Sequence, residues 1–296
     1  MSHAGSARSE RVRHWDVFLL GSVFWWLLLC AAWAVRLWQL DASDLTFDEA
    51  ATYFVAHRPL PDILVYLRGA VREHPPVYYL LIRLWMGLAG SSEYSLRFFA
   101  VCASMVGIAL TARLGRKVAR QLWVIDVGTL FPAITLPALI LAVFPFEVYY
   151  ARDARMYTLT IVWAVLSSLL FWPLLFDLGQ DEWPRARWLV GLVLVNSLAV
   201  FTHLYLVLLV ISQLAILLLL RRWRASLAWG ASHGAIALVG VIWVARSPGL
   251  FSSLTEAWGR FSATWPTMNQ IRRLFADLLF GPIRGVPWEL VFGWGV

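Results

Sequence analysis

The sequence predicts an all-α, polytopic membrane protein, and three observations predict it. Of 296 residues, 60% are hydrophobic and 15% are charged, with a mean hydropathy of +0.67. An ordinary soluble domain carries about 45–50% apolar and about 25% charged residues. The apolar residues come in long blocks, such as Val17–Leu29 extending to Trp38, Trp188–Phe201 and Leu204–Leu220. About 20 apolar residues are what a helix needs to cross roughly 30 Å of hydrocarbon. Clusters of arginine separate the blocks, the pattern that orients membrane helices. A soluble enzyme, a disordered tail and a disulfide-built secreted domain are therefore excluded. Cys30 and Cys102 lie inside apolar blocks, so neither a disulfide framework nor a thiolate zinc site is expected. The formal charge of +7 is nearly all arginine, Lys117 being the only lysine. No basic stripe with interleaved aromatics falls on a soluble segment, so nucleic acid is not an expected partner.

Each element follows from the charge rule. Arg8, Arg11 and Arg13 place a short tail, Met1–Trp15, in the cytoplasm, and the first span runs from Asp16 to Trp38. The apolar block is too long for a signal peptide and no small-residue cleavage site follows it. An external loop, Gln39–Ser95, comes next. Arg113, Arg116, Lys117 and Arg120, then Arg185 and Arg187, then Arg221, Arg222 and Arg224 mark the cytoplasmic side. They set spans at Leu96–Leu114, Gln121–Phe144, Met156–Phe176, Trp188–Thr202, His203–Leu220 and Ala225–Ala245. The result is one module of about seven transmembrane helices over Asp16–Ala245. Pro76–Gly90 is apolar but short and contains Arg83; as a span it would put the Arg113–Arg120 cluster outside. It and Pro61–Arg72, with Ile63, Leu64 and Leu67 on one face, are expected to be amphipathic helices on the outer membrane surface. Pro132 and Pro137 should kink the third span. Arg246–Val296 reads as an external loop, with Gly and Pro at Ser247–Gly249 and Gly281–Pro287, ending at Phe292–Val296 in the start of a further span. No internal repeat is visible, so a transporter built from inverted repeats gains no support.

Acidic residues beside membrane spans are costly and point to function. Under this topology four groups meet on the outer face: Phe47-Asp48-Glu49-Ala50, Glu73-His74-Pro75-Pro76, Glu147 through Tyr157, and Thr202-His203. A carboxylate near an apolar boundary suits removal of a proton from an attacking hydroxyl. Arg152 and Arg155, three apart, share a helix face if the span begins there, and guanidinium forks match phosphate oxygens. Glu73 and His74, with Asp48 and Glu49 across the loop, could hold a divalent cation, Mg²⁺ or Mn²⁺ with oxygen-rich ligands or Zn²⁺ with imidazole and carboxylate. The residues describe an acid-base and phosphate site at the outer surface, for which a polyprenyl-phosphate sugar would supply the phosphate.

Four blocks in order carry a resemblance. Phe47-Asp48-Glu49-Ala50, His74-Pro75-Pro76-Val77-Tyr78-Tyr79, Ser92 through Phe99 and Tyr149 through Tyr157 resemble the GT-C membrane glycosyltransferases. The bacterial members related to protein O-mannosyltransferases, lipid A aminoarabinose transferase and rhizobial galacturonosyltransferases look most similar. The resemblance implies a GT-C-type module with surface helices in its first external loop, in a bacterial inner membrane. It implies an outer-face enzyme that moves sugar from a polyprenyl-phosphate donor, with inversion, to a lipid, glycan or protein acceptor. Asp48 then matches the catalytic base, Glu49 the second acid of that motif and Asp153 the acidic position of the second external loop. From the residues themselves, Arg152 and Arg155 and, at the outer end of the second span, Arg97 are the candidates to bind the donor phosphate.

Each of these residues also has a structural alternative. Asp48 can cap a helix and Glu49 can be a first-turn acid. His74 can end a helix ahead of Pro-Pro. Arg152, Asp153 and Arg155 can form a headgroup-level salt-bridge set, Arg97 can snorkel toward lipid phosphates, and His203 can be a structural hydrogen-bonder. Two other classes of function share the architecture, a transporter or lipid-moving protein and a non-catalytic scaffold that keeps the fold.

Overall fold

The computed structural model describes residues 22–69, 74–122, 136–179, 182–246, 267–269, 271–272 and 275–276. The described residues are helical, with no strand among them. In chain order they form α1 (Ser22–Leu37), α2 (Phe47–Ala56), α3 (Leu60–Gly69), α4 (Val77–Ala89), α5 (Glu93–Leu122), α6 (136–143) and α7 (Pro145–Ala151). Then come α8 (Tyr157–Trp172), a π-helical turn (Pro173–Asp177), α9 (Ala186–Thr202), α10 (Leu206–Leu219) and α11 (Trp223–Ala245). Three stretches, Glu93–Gln121, Tyr157–Asp177 and Trp223–Trp243, are long and apolar enough to cross a membrane. Ser22–Leu37, Val77–Ala89, Ala186–Thr202 and Leu206–Leu219 are shorter apolar helices. Glu73, the N-terminal tail, residues 123–135 of the expected third span and nearly all of the expected C-terminal loop lie outside the described residues.

The 30-residue α5 is about 45 Å long at 1.5 Å per residue, longer than the hydrocarbon core. Its last turns therefore carry Arg113, Arg116, Lys117 and Arg120 past the apolar stretch. α5 packs chiefly against α8, and α8 against α9. Tyr78, Ile82, Leu96, Ala103, Met156, Leu159 and Val162 form the shared core that joins α4 to this pair. Large apolar side chains elsewhere face outward, among them Trp26, Leu198, Leu208, Leu219 and Val241. Cys30 and Cys102 are free thiols.

The helices of the first loop form by local rules. Ile63 and Leu67 of α3 are buried against Val55 of α2 and Tyr79 of α4. α4 stops at Gly90, whose φ of +80° and ψ of 180° are open essentially only to glycine. Ser95 fixes the turn into α5, its hydroxyl donating to the Gly90 carbonyl at 2.8 Å while Trp85 Nε1 donates to the Ser95 carbonyl at 2.9 Å.

Two buried polar arrangements hold the bundle. Pro145 has no N–H to offer the Leu141 carbonyl one turn back, and α6 ends there, at an extended Phe144. Arg36 of α1, wholly buried, donates Nη2 to the Leu141 carbonyl and Nη1 to the Ala142 carbonyl, both at 2.8 Å, and Nε to Ser104 Oγ of α5 at 2.9 Å. Among α8 to α11, Ser167 Oγ donates to Asn196 Oδ1 (2.6 Å), Asn196 Nδ2 to Gln213 Oε1 (2.9 Å) and Gln213 Nε2 back to Ser167 Oγ (2.6 Å). Asn196 Nδ2 also meets His233 Nε2 at 3.0 Å, and His233 stacks on Trp229 with ring centroids 4.0 Å apart.

Candidate active site

The site lies where the end of α1, the start of α2, the start of α5 and the turn between α7 and α8 meet. Thr46 begins α2: its hydroxyl accepts from Glu49 N–H (3.3 Å), and its own N–H donates to Glu49 Oε2 (2.9 Å). This is a capping box, Ser/Thr-x-x-Glu, readable in Thr46-Phe47-Asp48-Glu49. The cap is thus Thr46, and the structural alternative that made Asp48 the cap is corrected. Asp48 stands in the first turn, exposed, and its carboxylate has no hydrogen bond or ion pair among the described residues. Its backbone carbonyl accepts from Arg155 Nη1 (3.3 Å) and Thr52 Oγ1 (3.1 Å).

Glu49 and Arg97 are a buried ion pair. Arg97 Nε and Nη2 donate to Glu49 Oε1 and Oε2 at 2.8 and 2.9 Å. The remaining Arg97 donors go to the carbonyls of Leu40 (2.9 Å), Ser43 (2.8 Å) and Asp44 (3.0 Å). A guanidinium has five N–H groups, and every one is used, so none is left over for a phosphate. Glu49 Oε1 also accepts the backbone N–H of Ala154 at 3.1 Å. Burial alone would raise the Glu49 carboxyl, but the bonds from Arg97, Thr46 and Ala154 outweigh it and hold the group below the usual carboxylate value. This pair ties α2, α5 and the α7–α8 turn into one rigid corner. The roles that the sequence suggested, Glu49 as a second catalytic acid and Arg97 as a phosphate ligand, meet side chains whose capacity is already committed to the fold.

The α7–α8 turn presents Arg152, Asp153 and Arg155. Arg152 Nη2 donates to the carbonyls of Trp38 (2.6 Å) and Gln39 (3.0 Å) at the end of α1. Asp153 makes no salt bridge to either arginine, so the headgroup-level salt-bridge set does not form among these residues. Burial, then the negative charge of Glu49, raises the Asp153 carboxyl to about 6, with Arg155 opposing. Glu147 is raised by burial, with Arg36 opposing.

Several buried polar atoms here have no hydrogen-bond partner among the described residues: Tyr78 Oη, Asp153 Oδ1, Thr158 Oγ1, and the Nε atoms of Arg152 and Arg155. Each such group costs about 1–3 kcal/mol if left unsatisfied, and such groups are rare in folded proteins. Tyr78 is 1% exposed. Its phenol is raised well above its ordinary value by burial and then by the negative charge of Asp153, with Arg155 opposing.

Beside this corner a groove of about 360 Å³ runs between α7, the start of α8 and the α9–α10 link. It is lined by Phe146, Glu147, Tyr150, Tyr157, His203 and Tyr205 with Thr160 and Ile161. His203, which the sequence also allows as a structural hydrogen-bonder, accepts the Tyr205 N–H on Nδ1 at 3.3 Å and also lines this groove. His74 packs edge-on to Tyr79 with centroids 6.3 Å apart. Among the described residues no three His, Cys, Asp or Glu come together to hold a metal ion.

Sequence reasoning missed Tyr78, Thr158 and Arg36 as individual residues. For Arg36 a signal existed, an arginine inside an apolar block. Compared with protein-family models, curated proteins and solved structures, the chain shows no significant match.

Proposed function

We propose that the chain is an inverting glycosyltransferase of the GT-C type, taking sugar from a polyprenyl-phosphate donor to a lipid, glycan or protein acceptor. The reading places seven crossings in a bacterial inner membrane, the N-terminus in the cytoplasm and the site on the outer face. The observation that carries it is an exposed carboxylate, Asp48, unbonded among the described residues, whose backbone carbonyl accepts from Arg155 Nη1, with Arg152 on the same α7–α8 turn as Arg155. These are the groups that base-assisted displacement of a phosphate requires.

In this mechanism the acceptor hydroxyl loses its proton to Asp48 and its oxygen bonds the anomeric carbon. The bond from that carbon to the phosphate oxygen breaks on the opposite side, and polyprenyl phosphate leaves with the electron pair. Arg152 and Arg155 stabilise the departing charge. Glu49 and Arg97 are positioning residues that hold Asp48 and the α7–α8 turn in place.

Mass spectrometry of envelope lipids and glycans in a deletion strain tests the reading, with complementation by wild type or Asp48→Asn. Loss of one defined sugar, restored by wild type alone, is the expected result. Full restoration by Asp48→Asn would remove the base and favour a scaffold. An unchanged glycan profile after deletion would favour transport.

A further inference from the structure

A second groove, of about 710 Å³, opens between the end of α2, the start of α3 and α4, and none of the candidate catalytic residues lines it. Asp48 stands near the other end of α2, about 12 Å from Ala56 of the groove at 1.5 Å per residue. One wall is a face of α4, where Leu80, Arg83, Leu84, Gly87 and Leu88 recur every three or four residues. Tyr78, Tyr79 and Ile82, on the other side of the same helix, are buried. Leu60 of α3 also lines the groove, and Leu60, Leu84 and Leu88 are 54%, 62% and 77% exposed. A Cβ placed on Gly87 would meet no atom within 4 Å, so the space is open at that point of the helix. Exposed apolar surface with a polar rim marks a binding surface.

Within this lining stands a permanent positive charge. Arg83 Nη1 donates to the carbonyls of Ala56 (3.2 Å) and Arg58 at the end of α2. Its Nε and Nη2 make no hydrogen bond or ion pair among the described residues, and no Asp or Glu lines the groove. Two N–H groups of one guanidinium match two phosphate oxygens, while the leucines beside them favour hydrocarbon. Without a carboxylate in the lining, the ammonium group of a zwitterionic lipid finds no partner there. We infer that this groove seats an anionic glycerophospholipid. Arg83 Nε and Nη2 donate to the headgroup phosphate, and an acyl chain lies along Leu84, Gly87 and Leu88. Basic pockets between membrane helices hold anionic headgroups in this way. The seat is independent of sugar transfer and serves a transferase, a transporter or a scaffold alike.

Delipidated full-length protein in detergent is titrated with phosphatidylglycerol and with phosphatidylcholine of the same chains, and bound lipid is counted by native mass spectrometry. Wild type should hold one phosphatidylglycerol more tightly than phosphatidylcholine. Arg83→Gln should weaken phosphatidylglycerol binding about tenfold, the loss expected for a hydrogen bond to a charged group, and should erase the preference between the two lipids. That preference is a ratio, which loss of the Arg83 contacts to α2 does not by itself move. Gly87→Trp, which fills the groove from an open position, should weaken binding of both lipids at least as much, with the melting temperature of the lipid-free protein unchanged. Gly234→Trp, at an equally open glycine of α11, should bind as wild type does. The inference is overturned if wild type shows no preference or if Gly87→Trp binds as tightly as wild type. It is overturned equally if Gly234→Trp weakens binding as much as Gly87→Trp, since lipid would then coat the whole surface. A lipid-free dimer that Gly87→Trp dissociates would make a second copy of the chain the occupant, against the inference.

Discussion

Glu49 and Arg97 meet through two N–H···O contacts of 2.8 and 2.9 Å, and neither side chain has bonding capacity to spare. Removing one partner of a buried pair typically costs about 3–5 kcal/mol because the other charge is stranded. Glu49→Ala and Arg97→Ala should therefore each lower the stability of the detergent-solubilised protein by that order. Arg97→Lys should not rescue it, since an ammonium cannot reproduce the fork. Thermal unfolding of the three variants checks this.

Asp48 should behave oppositely. Its carboxylate is exposed and bonded to nothing among the described residues, so Asp48→Asn should change stability by no more than about 0.5 kcal/mol. The same substitution should abolish sugar transfer. Melting curves and envelope glycan analysis on one preparation separate loss of fold from loss of chemistry.

Acid should stabilise the corner before it destroys it. Asp153 is raised to about 6 from 3.8, so the folded state binds the proton more tightly than the unfolded chain. Stability from this group is greatest below about 4 and falls as pH rises toward 6, then levels off. Glu147, raised by burial, adds a contribution of the same sign. Glu49, held low by its partners, contributes stability that is present above 4.5 and lost on acidification below it. From pH 7.5 to 5 the melting temperature should rise, by less in Asp153→Asn, and the trend should reverse in stronger acid.

Arg36 and Pro145 should be coupled. Arg36→Met strands the Leu141 and Ala142 carbonyls that the guanidinium now holds, at about 1–3 kcal/mol for each unsatisfied group. Adding Pro145→Ala supplies an N–H for Leu141, so the double variant should be less destabilised than the sum of the singles. Equal and additive losses in a double-mutant cycle would contradict the arrangement.

Much of the helical layout was legible because apolar blocks and arginine clusters are long-range, high-contrast signals. Leu96–Leu114 lies within α5, and Trp188–Thr202 and Ala225–Ala245 lie within α9 and α11. The capping box at Thr46 and Glu49 was equally open to reading, since it depends on residues three apart. The Glu49–Arg97 pair was not. Its partners are separated by 48 positions, and nothing local distinguishes an arginine that binds phosphate from one that binds a carboxylate. The unpartnered hydroxyls of Tyr78 and Thr158 are likewise a property of packing, invisible until α4 lies against α8.

The Ser167–Asn196–Gln213 ring has a consequence for how the bundle finds its shape. Lipid tails solvate a leucine about as well as another leucine does, so apolar faces alone barely distinguish one azimuth of a helix from the next. Turning α9 by a single residue, about 100° at 3.6 residues per turn, would carry Asn196 away from both partners and leave its amide among apolar side chains. The ring thus works as a phase key, admitting one angular setting of α8, α9 and α10 among many that are equally greasy.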